Sequence, residues 1–434
     1  MITAACAPLM PVAPLLPVAP PAPAPEAMPA LDAAARDYVA LQLAIGEKEK
    51  GYIDAYYGPA EVKERGQQIA AIRNVPQLQA DVDTLSARIA ASAAGAPPEQ
   101  ARRARFLLAN LTAARTRLRM LSGEKIPFKE EAQNLFGVTP ELKPLSSFDP
   151  VLASIDKLVP GEGPLWQRVD TFQDRFVIPK ERLKPVFDAA IAECRARTVR
   201  HIPLPSGERF DMSFVTGKSW SGYNYYQGGY ASKIEINTDL PIRISRAVDL
   251  GCHEGYPGHH VLNALLEQRL VQERGWVEYS VYPLYSPQSL IAEGSANYGI
   301  DLAFPGPDKL AFERRVLYPL AGLSTADAAR YDQLLEAMKA LSGARLTIAA
   351  DFLDGRISEQ QAVPLIQKYQ LVSEARARQS LQFTRDYRSY VLNYGLGQDM
   401  VRKDVDSYPT PLARWKRFEQ IVSEPTLPSD LSAR

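Results

Sequence analysis

Three of the four histidines in the chain fall within H-E-G-Y-P-G-H-H, His253 to His260. A residue type scarce elsewhere and crowded here points to a task for imidazole, and the commonest are metal ligation and proton transfer. The zinc-hydrolase string H-E-x-x-H works because residues four apart share one face of a helix. Here Glu254 follows His253 as that pattern requires, but position 257 is proline and the next histidine is His259. Six residues of unbroken helix turn the side chain through about 600°, which carries His259 off the face of His253. Pro257 removes a backbone donor and Gly258 tolerates conformations closed to other residues, so the helix must bulge or break between the histidines. A bulge can swing His259 back. His253 and His259 are the expected ligands, with His260 behind them or facing substrate and held in reserve as the alternative second ligand.

Two imidazoles leave a tetrahedral zinc ion in need of a third protein ligand and an open position for water. Glu293, in I-A-E-G-S-A-N-Y-G, Ile291 to Gly299, is the expected donor and reads as part of the start of a second helix; Glu267, Glu273 and Glu278 are other acids nearby in sequence. Glu254 is then a free carboxylate beside the ion, placed to take a proton from water and later hand it to a leaving amine. The competing account makes the cluster a group of helix-capping histidines or an adventitious surface binder, neither of which needs a free carboxylate.

The elements that must position these residues read as mostly helical. From Leu31 to about Arg200 apolar residues recur at helical spacing, as in Leu78, Val82, Leu85 and Ile89, and in Leu107, Leu111 and Leu118 after the A-P-P-E start at Ala96. Such stripes are core faces of a helical body. The stretch G-Y-I-D-A-Y-Y-G-P from Gly51 is dense in tyrosine, and F-G-V-T-P-E-L from Phe136 marks a break. After His201 the texture changes: Ser219 to Pro241 is aromatic, glycine-rich and alternating, which predicts a small antiparallel ribbon beside the motif helix. Helices resume after Ile244, with a long set between Thr325 and Val405. The expected organisation is a tail or tether over 1–30 and one large helical domain over 31–425, its metal-site part over 201–425 and its N-terminal part over 31–200.

Fifty basic and fifty acidic residues leave no net charge, so there is no global field to attract nucleic acid. Cys6, Cys194 and Cys252 are too few and too scattered for a disulfide framework or a thiolate zinc site, and do not fix the redox compartment. Phosphate-loop and G-x-S-x-G strings are absent.

Between Met1 and Pro25 there is no charge, and eight prolines forbid a helix, so the segment predicts an extended linker rather than a transmembrane span. T-A-A-C, ending at Cys6, resembles a bacterial lipid-attachment signal whose export region would lie upstream of a misassigned start. The expectation is an exported, periplasmic protein tethered at Cys6, in preference to a cytoplasmic one; the alternative is an alanine- and proline-rich tail with a chance cysteine.

H-E-G-Y-P-G-H-H together with E-G-S-A-N-Y resembles the bacterial domain-of-unknown-function 885 family, with its H-E-x-x-P-G-H-H and E-G-W-A-x-Y strings. D-A-Y-Y-G-P, the aromatic ribbon and N-Y-G-L-G extend the resemblance from about Tyr38 to Arg402. That family is similar in fold to the carboxypeptidase Taq and oligopeptidase group, in which a helical shell surrounds a deep channel, and the resemblance implies a zinc metallopeptidase acting on short peptides. It also implies His253, His259 and Glu293 as metal ligands, Glu254 as general base, and Tyr394 as a hydrogen-bond donor to the oxyanion. The chain departs from the family pattern at Ser295, where tryptophan is usual, at Ala349 and Leu353, where aspartate and histidine are expected, and at R-S-Y, Arg388 to Tyr390, in place of P-G-Q. For substrate contact the candidates are Arg385 or Arg388 on a carboxylate, and Tyr225 and Tyr298 as lining residues. Two other readings use the same residues: a zinc hydrolase of a non-peptide amide, and a non-catalytic helical binding protein with a structural metal.

Overall fold

The structure is a computed structural model and describes residues 29–431 except Ser219. The proline-rich tail through Met28, with Cys6 and the tether read from it, lies outside the described residues.

The fold is mostly α, as the periodicity predicts. Leu78, Val82, Leu85 and Ile89 line the buried face of the helix Val75–Ala93, which opens on a capping box between Asn74 and Gln77. Each side chain of that box satisfies a backbone donor that the first turn leaves free. The next helix, Pro98–Leu121, begins on the second proline of A-P-P-E and buries Leu107, Leu111 and Leu118. Phe128–Phe136 ends on Gly137 in the left-handed conformation, φ 72°, so the break read at F-G-V-T-P is a glycine cap. One contiguous apolar core takes side chains from Leu31 through Leu431. Arg103 crosses it, fully buried, with Nε 2.5 Å from Glu278 Oε1 and Nη1 2.5 Å from Asp32 Oδ1. A buried arginine needs carboxylates on its fork, and these tie the first helix to the second half of the chain.

The ribbon is larger than the alternation suggested. β3 (Gly222–Gly228) and β4 (Ala231–Asn237) form the expected antiparallel hairpin, but β2 (Arg209–Val215) pairs parallel to β4, giving the order β2-β4-β3. A second sheet joins β1 (Ile53–Tyr56), inside the tyrosine-rich stretch, to β5 (Val281–Pro283). Strands of four and three residues are too short for alternation to show.

The cysteine reading requires correction. Cys194 and Cys252, both buried, form a disulfide across 58 residues, with Cα atoms 5.6 Å apart. Counting cysteines tests for frameworks and clusters, and it misses one bond made where the helix Leu183–Thr198 packs on the turn before His253. Among the described residues no helix is long and apolar enough to cross a membrane.

Two glycines bring the helix Pro287–Ala303 against the helix Leu392–Asp406. A Cβ on Gly294 would lie 2.5 Å from the carbonyl carbon of Gly397, and one on Gly397 would lie 2.8 Å from Leu290 O. The contact is backbone on backbone, which only residues without a side chain permit.

Candidate metal centre

The helix Ser245–Leu250 runs into a π-helical turn, Gly251–Gly255, and a new helix begins at His259. Between them Tyr256 is extended, the Tyr256–Pro257 peptide is cis, and Gly258 N donates to Cys252 O at 3.0 Å. The chain turns so tightly that a Cβ on Gly258 would sit 1.8 Å from His253 O, so glycine is obligatory there. This break turns His259 back toward His253. Their Nε2 atoms lie 3.1 Å apart.

The helix carrying Glu293 begins at Pro287, earlier than the sequence pattern suggested, so Glu293 projects from its second turn. His253 Nε2 stands 3.4 Å from Glu293 Oε2, and His259 Nε2 stands 3.9 Å from Glu293 Oε1. A tetrahedral zinc with bonds of about 2.0–2.2 Å holds its donors about 3.4 Å apart. Oε2 is buried and has no hydrogen-bond partner, which a carboxylate oxygen tolerates poorly unless a cation completes it. Among the described residues these three form the one group of histidine, cysteine and acidic side chains spaced to hold an ion. On donor type, spacing and the orphaned oxygen, the residues fit zinc.

The surrounding side chains fix the donors. His253 Nδ1 lies 3.1 Å from Asn297 Oδ1, and the Asn297 amide nitrogen donates to Tyr394 O at 3.2 Å. That second bond orients the amide, so Oδ1 accepts from Nδ1–H and Nε2 of His253 is left with a free lone pair. Tyr390 donates to Glu293 Oε1 at 2.9 Å. Burial pushes the His259 ring down to about 4, helped by the charge of His253. Glu293 is held below the usual carboxylate range by His253 and His259 although burial opposes it. Neutral imidazole and ionised carboxylate are the forms that ligate, and His259 and Glu293 are shifted toward them; the His253 ring is shifted the other way, because the burial that would lower it is outweighed by Glu293 and Glu254.

Glu254 is near enough to the centre to feel the charges of His253 and Glu293. Its carboxylate takes no hydrogen bond, while its backbone oxygen accepts from Asn224 at 2.7 Å. Burial raises its pKa to about 7, with His253 opposing and Glu293 adding. β3 backs onto it: a Cβ on Gly222 would lie 2.9 Å from Glu254 Oε1. Asp54 on β1 accepts a hydrogen bond from Tyr223 on β3, and burial lifts it to about 6 against that bond, with Glu293 adding. His253 and His259 keep 13% and 12% of their side-chain exposure, so the centre is recessed and still reachable.

Other sequence candidates lie elsewhere. His260 is not brought to the cluster: it is buried on the far side, with Nδ1 2.8 Å from Ser232 Oγ and Nε2 3.0 Å from Glu208 Oε2. His201 stacks on Trp415. Arg385 is exposed and paired with the equally exposed Glu359, and Arg388 is held by the buried Glu131 at 2.7 Å. Tyr298 donates to Asp406 at 2.9 Å. Tyr225 packs on Tyr223, ring centroids 4.5 Å apart, at the edge strand of the ribbon. Tyr394 does border the centre, through its carbonyl bond to Asn297 and its ring 5.9 Å from that of Tyr390, and its hydroxyl makes no hydrogen bond. Asn297 and Tyr390 were missed by sequence reasoning; one helical turn from Glu293 to Asn297 is the only signal that pointed to either.

No protein-family model matches the chain, and no curated protein does. Similarity to solved structures is low in sequence. Similarity to a protein of Colwellia psychrerythraea described as a lipoprotein reaches a TM-score of 0.52 at 15% identity, over 86% of this chain and 72% of that one. The M32 carboxypeptidase of Deinococcus radiodurans R1 aligns at TM-score 0.46 and 13% identity, over 90% of this chain and 89% of that one. Trypanosoma cruzi metallocarboxypeptidase 1 aligns at 0.36 and 13%, over 91% and 88%. The first likeness shows a common fold, and the other two are too loose to bear on the site. The resemblance to the domain-of-unknown-function 885 family rests on its motif strings.

Proposed function

We propose that the chain is a zinc-dependent metallopeptidase hydrolysing short peptides, with His253, His259 and Glu293 as ligands. The observation that carries this reading is the convergence of those donors on one point, with Glu293 Oε2 unpartnered, beside a carboxylate, Glu254, that nothing in the fold employs. Zinc, when bound, supplies a Lewis acid that polarises a carbonyl and brings the pKa of water toward about 7. Glu254 takes the proton released by the attacking water and delivers it to the departing amine. The free hydroxyl of Tyr394 donates to the oxygen that gains charge. β3, as the edge strand next to Glu254, offers its backbone to an extended peptide.

A structural metal site closes with four protein ligands. Three donors and a spare carboxylate argue instead for an open position. The Cys194–Cys252 bond favours a compartment outside the reducing cytosol, in keeping with export and a tether at Cys6. The test is Glu254→Gln, assayed on short peptides alongside elemental analysis. Zinc retained at about one per chain with hydrolysis reduced at least 100-fold is expected; unchanged hydrolysis overturns the assignment.

A further inference from the structure

β1 and β5 slip register at Asp54: Ile53 opposes Pro283 and Ala55 opposes Tyr282, which leaves Asp54 as the extra residue of a β-bulge. A bulge takes a side chain out of the alternation of its strand, and bulges gather beside active sites. Here the carboxylate is carried to β3, where one oxygen accepts from the Tyr223 hydroxyl. Asp54 is half-buried, its other oxygen carries no hydrogen bond, and no cation among the described residues lies in ion-pair range of it. Buried carboxylates elsewhere in the fold are matched by arginine: Glu278 by Arg103, Glu131 by Arg388, Asp404 by Arg417. A carboxylate drawn out of water without a counter-charge is costly, so Asp54 is unanswered where those three are not.

What surrounds it is aromatic and acidic. Tyr223 packs on Tyr225, ring centroids 4.5 Å apart, and on Trp220 at 5.5 Å. The Lys218 ammonium stands 5.6 Å over the Trp220 ring, so this run of rings already draws one cation. Ring faces beside a carboxylate make a receptor for an ammonium group. Along β3 Tyr223 follows Gly222, the position that abuts Glu254. Asp54 and Glu254 each feel the charge of Glu293, and Glu254 also feels that of Asp54. A zinc ion offsets two of these three charges and leaves one for a substrate to answer.

We infer that Asp54 receives the protonated α-amino group of the substrate, so that a short peptide is cut one or two residues from its amino end. This names the substrate class for the metallopeptidase reading, and rests on that reading for the cleavage and not for the binding. A peptide laid along the free edge of β3 advances about 3.3 Å per residue, and Tyr223 is one position from the glycine beside Glu254. The amine therefore meets Asp54 within a residue or two of the bond beside Glu254. A lysine ammonium stands on a four-carbon stem and overshoots that distance. Asp54 takes one of the three ammonium donors, and the rings of Tyr223 and Tyr225 hold the charge.

The test is equilibrium calorimetry on zinc-loaded Glu254→Gln and on metal-stripped wild type, in which turnover is suppressed, with three peptides uncharged at the carboxyl end. Ala-Ala-Phe amide carries a free α-amine, acetyl-Ala-Ala-Phe amide carries none, and acetyl-Lys-Ala-Phe amide carries an amine only on a side chain. The free α-amine is expected to bind at least about tenfold more tightly than either acetylated peptide. Asp54→Asn, of nearly the same size, abolishes that preference with zinc content unchanged, and Asp54→Glu, which keeps the charge, retains part of it. Equal binding of the amine and its acetylated form, preference for the lysine peptide, or an undiminished preference in Asp54→Asn overturns the inference, and the first two need no change at Asp54. Turnover by zinc-loaded wild type separates the two proposals. An Asp54-dependent preference without hydrolysis keeps the amine site and removes the peptidase, whereas hydrolysis indifferent to acetylation does the reverse.

Discussion

Tyr390 donates its phenolic hydrogen to one oxygen of Glu293 at 2.9 Å, and the other oxygen faces His253 with no partner. The carboxylate is thereby held so that one oxygen is free for an ion. Partners of this kind are worth about 10- to 100-fold in metal affinity. Tyr390→Phe is expected to weaken zinc binding at least tenfold in chelator competition, while Tyr394→Phe lowers kcat with zinc affinity unchanged. An equal effect of the two on affinity would mean that the tyrosines merely pack.

The three neighbouring histidines should separate by experiment. His259→Ala and Glu293→Ala should each release zinc by elemental analysis. His260→Ala should keep it and destabilise the fold instead, because Glu208, Ser232 and the cavity lose their buried partner. The cost is about 1–3 kcal/mol in a denaturant titration. Zinc loss in His260→Ala with stability intact would reverse the ligand assignment.

Glu313 is buried with its Oε1 4.0 Å from Lys309 Nζ and without a hydrogen bond, while Lys309 itself pairs with Asp249 at 2.7 Å. Burial raises its pKa from 4.5 to about 7, against Lys309 and with Asp249 adding. Below pH 4.5 folded and unfolded states both hold the proton. Between there and about 7 the folded state keeps a proton that the unfolded chain has released, so this group's contribution to stability falls as pH rises. Glu313→Gln should therefore be close to neutral at pH 4 and stabilising at pH 8, by about 1–3 kcal/mol. Thermal melts at both pH values decide it, and a gain that does not change with pH would refute the cause.

Breaking the Cys194–Cys252 bond frees a loop of 58 residues in the unfolded chain. The chain-entropy relation gives a loss of about 4 kcal/mol for Cys194→Ser. Because Cys252 precedes His253, zinc affinity is expected to fall in the same variant. Wild-type protein that melts identically with and without reductant would show that the bond does not form in solution.

The parts of the site legible in the sequence are those whose signal is local. The proline and glycine at 257 and 258 announce a break, and His253, Glu254 and His259 surround it, so their convergence could be argued without a structure. The helical core was readable from positions such as Leu78 and Ile89 because a stripe repeats. Asn297 and Tyr390 reach the centre through which helices cross, and no spacing within one segment encodes that. Edge strands of three or four residues and a single long-range disulfide escape for the same reason.

The contact between Gly294 and Gly397 sets how that part of the molecule can vary. Glu293 sits next to one glycine, and Tyr394 and Asn393 lie just before the other, so any added side chain at either position forces apart the two walls that carry the site. In a saturation mutagenesis screen these should be two positions at which none of the nineteen alternatives is tolerated, flanked by surface positions such as Asp399 that accept most of them. A chain built this way is free to diverge in sequence over most of its helices while the groups at the centre stay at a constant separation.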